Sequence, residues 1–189
     1  MTKPAVLVET LFSVVGEGES LYAILDSAQN HEIPVRLRMG KVEHNCLYEG
    51  GTAEVLWYVA PYLLRCERDS EFFRWVLEKG WGQSWGIFLI SRASLEDLLQ
   101  HFRQHLIAKV EGQDKDFYFR FYDPRVLRVY LPTCTAEEAT EFFGPVGSFM
   151  TEAREDRMMR FSLGTAGLNQ SEHHLEKSAG EERTGYVRT

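Results

Sequence analysis

The sequence predicts an α/β or α+β fold: a single compact lobe with a mixed central sheet flanked by helices, followed by a flexible C-terminal tail. Three observations predict it. Strand-length apolar runs, such as residues 21–25 and 87–90, alternate with longer stretches whose apolar residues recur at helical spacing. Residues that cap helix N-termini (Ser70, Ser94, Asp123 and Thr135) stand where those stretches begin. The composition changes at Gly164. From there to Thr189 the only aromatic residue is Tyr186, amid Gly, Ser, Glu, Gln and Thr, with too little apolar surface to offset the entropy of ordering. The expected organisation is a domain over residues 1–163 and a tail over 164–189.

Residues 6–15 are apolar, and periodicity does not decide between strand and helix. Residues 16–20 form a loop, and 21–25 a buried strand that ends at Asp26. Residues 30–39 read as a helix closed by Gly40, with Pro34 near its start. Residues 41–52 are irregular, with Gly50-Gly51 as a turn. Residues 55–59 and 62–64 read as strand pieces around Pro61, which marks an edge, bend or bulge. Asp69 or Ser70 caps a helix through Lys79, whose stripe is Phe72, Phe73, Val76 and Leu77. A Trp/Gly turn leads to the strand 87–90. Ser94-Leu95-Glu96-Asp97 is a capping box, opening a helix with Leu95, Leu98, Leu99, Phe102 and Leu106 on one face. Residues 107–110 begin a strand and 111–116 a polar turn. Thr135 to Glu138 is a second capping box, and Gly144-Pro145 stops its helix. Residues 148–150 and 158–163 are late strands.

Residues 117–122 are the most concentrated aromatic stretch: five of these six are Phe or Tyr. Read as one strand, they put Phe117, Phe119 and Phe121 on an apolar face and Tyr118, Arg120 and Tyr122 on a face with polar tips. Asp123 then accepts free N–H groups at the start of a helix, and Pro124 takes the first helical position without losing a bond. Tyr and Arg are enriched at binding hot spots. Tyr118, Arg120 and Tyr122, with Arg125 and Arg128 on the following helix, are therefore the candidate partner-binding residues.

Composition excludes several function classes. The formal net charge of -7, with no dense basic patch, argues against nucleic acid as a partner. No run approaches the ~18 apolar residues of a membrane span, and Glu9 interrupts the short apolar N-terminal run that a signal peptide would need. Cys46, Cys66 and Cys134 are odd in number, widely spaced and free of metal-ligand patterns, which fits a reducing compartment and a cytoplasmic location. No cofactor is implied.

Candidate chemistry is sparse. Gly82-Gln83-Ser84-Trp85-Gly86 matches G-x-S-x-G, but a nucleophile elbow follows a strand and opens a helix. Here a helix precedes and a strand follows, so a helix-to-strand turn is expected. His101 and His105 lie four apart on one helix, a spacing that suits a metal, yet no third ligand is implied. His173-His174 fall in the expected tail. The Gly16-Glu17-Gly18 loop is acidic and lacks the GK[ST] of a phosphate cradle. Asp26 and Asp123 both end strands and could form an acid/base pair; their simpler roles are turn residue and helix cap. Arg120 and Arg125 are placed to pair with such carboxylates.

Residues 119–127 (FRFYDPRVL), followed by 141–146 (EFFGPV) and preceded by 22–29 (YAILDSAQ) and 60–66 (APYLLRC), resemble the DUF4123 family of type VI secretion adaptor/chaperones. The resemblance runs from about residue 21 to 163, with the motifs in the expected order. It implies a non-enzymatic bacterial protein that binds the N-terminal region of a toxic effector and the C-terminal region of the spike protein VgrG, and leaves before firing. Longer members carry a further C-terminal helical region, and this chain is expected to end soon after the shared lobe. The alternative is a small hydrolase using Ser84 or the Asp26/Asp123 pair.

Overall fold

A computed structural model describes residues 3–109, 116–154, 156–165 and 167–175. In chain order the elements are α1 (Lys3–Ser13), β1 (Ser20–Asp26), α2 (Glu32–Met39), β2 (His44–Cys46), α3 (Gly50–Leu56), a 3-10 turn (Trp57–Val59), β3 (Pro61–Arg65), α4 (Glu71–Gly80) and β4 (Gly86–Ser91). They continue with α5 (Leu95–Gln104), β5 (Ile107–Lys109), β6 (Asp116–Tyr118), α6 (Pro124–Tyr130), a 3-10 turn (Leu131–Thr133), α7 (Ala136–Phe143), β7 (Val146–Arg154), β8 (Arg157–Gly164) and β9 (Gly167–His174).

A seven-stranded sheet in the order β2-β3-β1-β4-β7-β8-β9 forms the centre, and β5-β6 pair separately. The expected fold class holds, a sheet flanked by helices. The sheet is not mixed, however: every described ladder is antiparallel, which settles the α+β alternative. β1 and β4 lie inside the sheet and are covered on both faces, so their sequences are apolar runs instead of alternations. Leu21, Ala23 and Leu25 of β1, with Phe88 and Ile90 of β4, face a core made with Leu7 and Leu11 of α1 and Phe73 and Leu77 of α4. Tyr22, Ile24, Ile87 and Leu89 face the other way, onto Leu98 and Phe102 of α5, Leu127 of α6 and Phe142 of α7.

The capping residues do as expected. The Ser70 hydroxyl accepts from Phe73 N–H, and the Ser94/Asp97 and Thr135/Glu138 boxes are both closed. Residues 6–15 fall mostly within the helix α1. Three expectations are corrected. Residues 55–59, read as a strand from their β-branched and aromatic content, form the end of α3 and a 3-10 turn. The place beside β3 is taken by β2, which leaves that run no ladder to join. Residues 117–122 are not one strand. β6 ends at Tyr118, and the chain turns at Arg120, whose carbonyl accepts from Asp123 N–H at 3.0 Å. Phe121 and Tyr122, expected on opposite faces, therefore enter the same core. Finally, no boundary falls at residue 163. β8 continues through a turn into β9, and Leu175 after it is buried. The rest of the expected tail, 176–189, lies outside the described residues.

The Gly82–Gly86 turn is built for close approach. Gly86 lies opposite Leu25 in the β1–β4 ladder, and a Cβ there would run into the Ile24 carbonyl. The obstacle is backbone at the centre of the sheet, which cannot move aside. Gly86→Ala is expected to destabilise the protein by at least ~2 kcal/mol. In urea titration this would lower the midpoint at an unchanged m-value.

Candidate functional site

The site forms where β1 ends. Asp26 is its last residue and is 1% exposed. Its Oδ1 accepts from Ala28 N–H at 3.0 Å, and its Oδ2 from Gln29 Nε2 at 3.4 Å, so the carboxylate shapes the turn Asp26–Gln29. Its own N–H donates to Trp85 O at 2.7 Å. A buried carboxylate is costly unless a cation meets it. The Arg120 guanidinium does so, donating to Oδ2 from a position about two-fifths exposed. The two motifs that most define the chain, 22–29 and 119–127, thus meet in one ion pair although 94 residues separate its partners.

Tyr122, 2% exposed, closes one side of the pair. Burial, followed by the neighbouring Tyr48 and Asp26, pushes its pKa far up. Tyr118 stands edge-on to Tyr48 at 5.7 Å between ring centroids and is 58% exposed.

Asp123 is the N-cap of α6, accepting from Arg125 N–H at 2.9 Å. The Arg125 side chain folds back onto the same carboxylate, with Nη2 to Oδ2 at 2.6 Å and Nε to Oδ1 at 3.0 Å. Burial pushes this carboxyl up. The Arg125 guanidinium and N–H outweigh burial, with help from Arg120, and hold it below the usual carboxylate range. Arg128 reaches the Glu152 backbone carbonyl on β7. The Glu152 carboxylate in turn accepts from Gly82 N–H at 2.5 Å, Ser84 N–H at 2.8 Å and Ser84 Oγ at 3.4 Å. Gly82 and Ser84 both have positive φ, at 87° and 57°, which aims their N–H groups at one point.

These contacts say what each sequence candidate does. Asp26, Asp123, Ser84 and the arginines gather at one end of the sheet. Each carboxylate is held by its own arginine, and the Ser84 hydroxyl is directed at a carboxylate that the turn's backbone already holds. G-x-S-x-G is here a helix-to-strand turn anchored on Glu152, as its order predicts. Of the five candidate partner-binding residues, Tyr122 is core, while Arg120 and Arg128 brace elements. Tyr118 and Arg125, with a side chain 61% exposed, present surface.

His101 and His105 do come together, with ring centroids 4.8 Å apart. His101 Nε2 donates to Phe142 O at 2.9 Å, tying α5 to the end of α7, and burial followed by the neighbouring His101 lowers the His105 pKa. Among the described residues no three His, Cys, Asp or Glu side chains cluster as metal ligands. His173 and His174 sit in β9, not in a tail. Burial pushes the Cys46, Cys66 and Cys134 thiols up, away from thiolate reactivity. Sequence reasoning missed Tyr48 and Glu152. Neither lies in a patterned motif, and both are recruited by tertiary contact.

Two substitutions separate the roles of Asp123. Asp123→Ala removes cap and charge and is expected to cost about 1–2 kcal/mol. Asp123→Asn keeps the cap and costs less. Because the folded pKa is lowered, the charge stabilises above the ordinary carboxylate pKa of about 3.9, and that contribution is lost as pH falls through the folded value. Acid titration of stability should therefore be shallower in Asp123→Asn.

Among the described residues no helix is long and apolar enough to cross a membrane. No curated protein and no solved structure matches the chain. A family model described as a domain of unknown function, DUF4123, matches residues 21–141, which spans β1 to α7 and includes both halves of the Asp26–Arg120 pair. The chain belongs to the DUF4123 family.

Proposed function

We propose that the protein is an adaptor that binds a type VI secretion effector and helps load it onto the VgrG spike from the cytoplasm. The observation that carries this reading is how the family motifs are used. Their charged residues are spent on bracing one end of the sheet, and what they present outward is a recognition surface. Tyr118 and Arg125 are exposed there. Beside Arg125, Val126, Val129, Tyr130 and Thr133 line a shallow groove, and Val129 is 69% exposed. An exposed valine beside Tyr130 and Arg125 suits an apolar segment with an acidic neighbour. Covering such a segment of the effector removes apolar surface from water. A competing site on the spike then releases it by mass action. The bracing arginines keep the surface preformed, so little ordering entropy opposes binding.

Capture with tagged protein from the source bacterium, read by mass spectrometry, is expected to return one large toxin-like protein, with or without the spike protein. Recovery of neither would contradict the reading. Val129→Asp and Tyr118→Ala are each expected to weaken effector binding by about tenfold or more, equal to ~1.4 kcal/mol, at an unchanged melting temperature.

A further inference from the structure

We infer that the outer edge of β9 is a self-association surface, on which a second copy of this chain adds its own β9 in antiparallel fashion. Among the described residues, no strand lies outside β9 in the sheet order. Exposed edges are normally blunted by shortness, proline, lysine or a bulge. The opposite edge follows that rule, since β2 has three residues. β9 does not. It has eight residues, contains no Pro or Lys, and pairs with β8 without a register shift from His174 to Gly167. The β7 ladders, in contrast, shift register at both ends of that strand. The one carboxylate of β9, on Glu172, is already engaged by Arg157 at 2.8 Å.

The outward N–H and C=O groups of such an edge are a template on which another extended strand can pair. The side chains of β9 fit their own copy. A twofold axis normal to the sheet places each residue against one on the same face. With the axis at Ser171, Gln170 meets Glu172, Asn169 meets His173, and Leu168 meets His174. Donors face acceptors in the polar pairs, and no carboxylate meets a carboxylate. Moving the axis to Glu172 would set two carboxylates against each other, and moving it to Gln170 would set Leu168 against Glu172. Ser171 is thus the favoured centre, and the two sheets become one through the pair. A ladder of this length falls short of the ~1,600 Å² of a standard interface, so the dimer is reversible and concentration-dependent.

Sedimentation velocity of the full chain over a concentration series tests this, with two variants. Ser171→Glu sets a carboxylate against its own copy across the twofold. Within one protomer it faces Arg160, the partner of residue 171 on β8, whose Nε is buried without a hydrogen-bond partner among the described residues. The fold should therefore survive. The expected result is a monomer–dimer equilibrium for the native chain and a monomer throughout for Ser171→Glu, with no loss of melting temperature. Under mild oxidation Ser171→Cys should cross-link as a dimer, and Gln170→Cys, offset from its own copy, should not. A native chain that is monomeric at every concentration would overturn the proposal, whether residues 176–189 or an effector strand takes the edge instead. So would a dimer untouched by Ser171→Glu and without the residue-171 cross-link. If Ser171→Glu does not fold, the cysteine pair decides alone.

Discussion

The structure depends on a buried charge at the end of its central strand. β1 is flanked by β3 and β4 and covered on both faces, so whatever ends it ends inside the protein. Asp26 is that residue. Its carboxylate makes the turn out of the sheet, and it can be buried only because Arg120 arrives to meet it. Arg120 arrives from outside the central sheet, just after the separate β5–β6 pair. The ion pair therefore locates a second substructure on the first. α6 starts three residues later at the Asp123 cap, its Arg128 reaches β7, and β7's Glu152 holds the turn before β4. The chain of contacts closes on itself, because Trp85 in that turn accepts the Asp26 N–H.

This closure gives residues that look catalytic in the sequence well-defined structural contacts. A serine between glycines, two strand-end aspartates and three arginines are what a small hydrolase could use. Here the left-handed backbone at Gly82 and Ser84 serves to collect a carboxylate, and each aspartate is engaged by its own arginine. The two surfaces on which the proposals above rest are Tyr118, Arg125 and the valines of α6, and the edge of β9. The family match covers the first of these and stops before the second, since β7, β8 and β9 all follow residue 141.

Local signals were legible. The caps at Ser70, Ser94, Asp123 and Thr135 set helix starts, because a side-chain acceptor two or three residues from a free N–H acts within a single turn of chain. The apolar runs of β1 and β4 identified the buried strands. What failed was non-local. Val55 to Val59 has strand chemistry but no free ladder. The aromatic run 117–122 has strand alternation, yet the demands of the Asp26–Arg120 pair and the Asp123 cap turn it after Tyr118. β9 falls in the expected tail because it is polar, and a polar strand at a sheet edge carries almost no periodic signal. Within the site, Arg120 and Asp26 could each be suspected of pairing. That they pair with each other required the fold.

A double-mutant cycle on Asp26 and Arg120, by urea denaturation of the native chain, Asp26→Asn, Arg120→Gln and the double variant, tests the central claim most directly. The account predicts that each single change is destabilising and that the two are strongly non-additive, with a coupling of about 1–2 kcal/mol because Arg120 is partly exposed. Additive effects, with a coupling near zero, would mean that the pair does not hold the two motifs together.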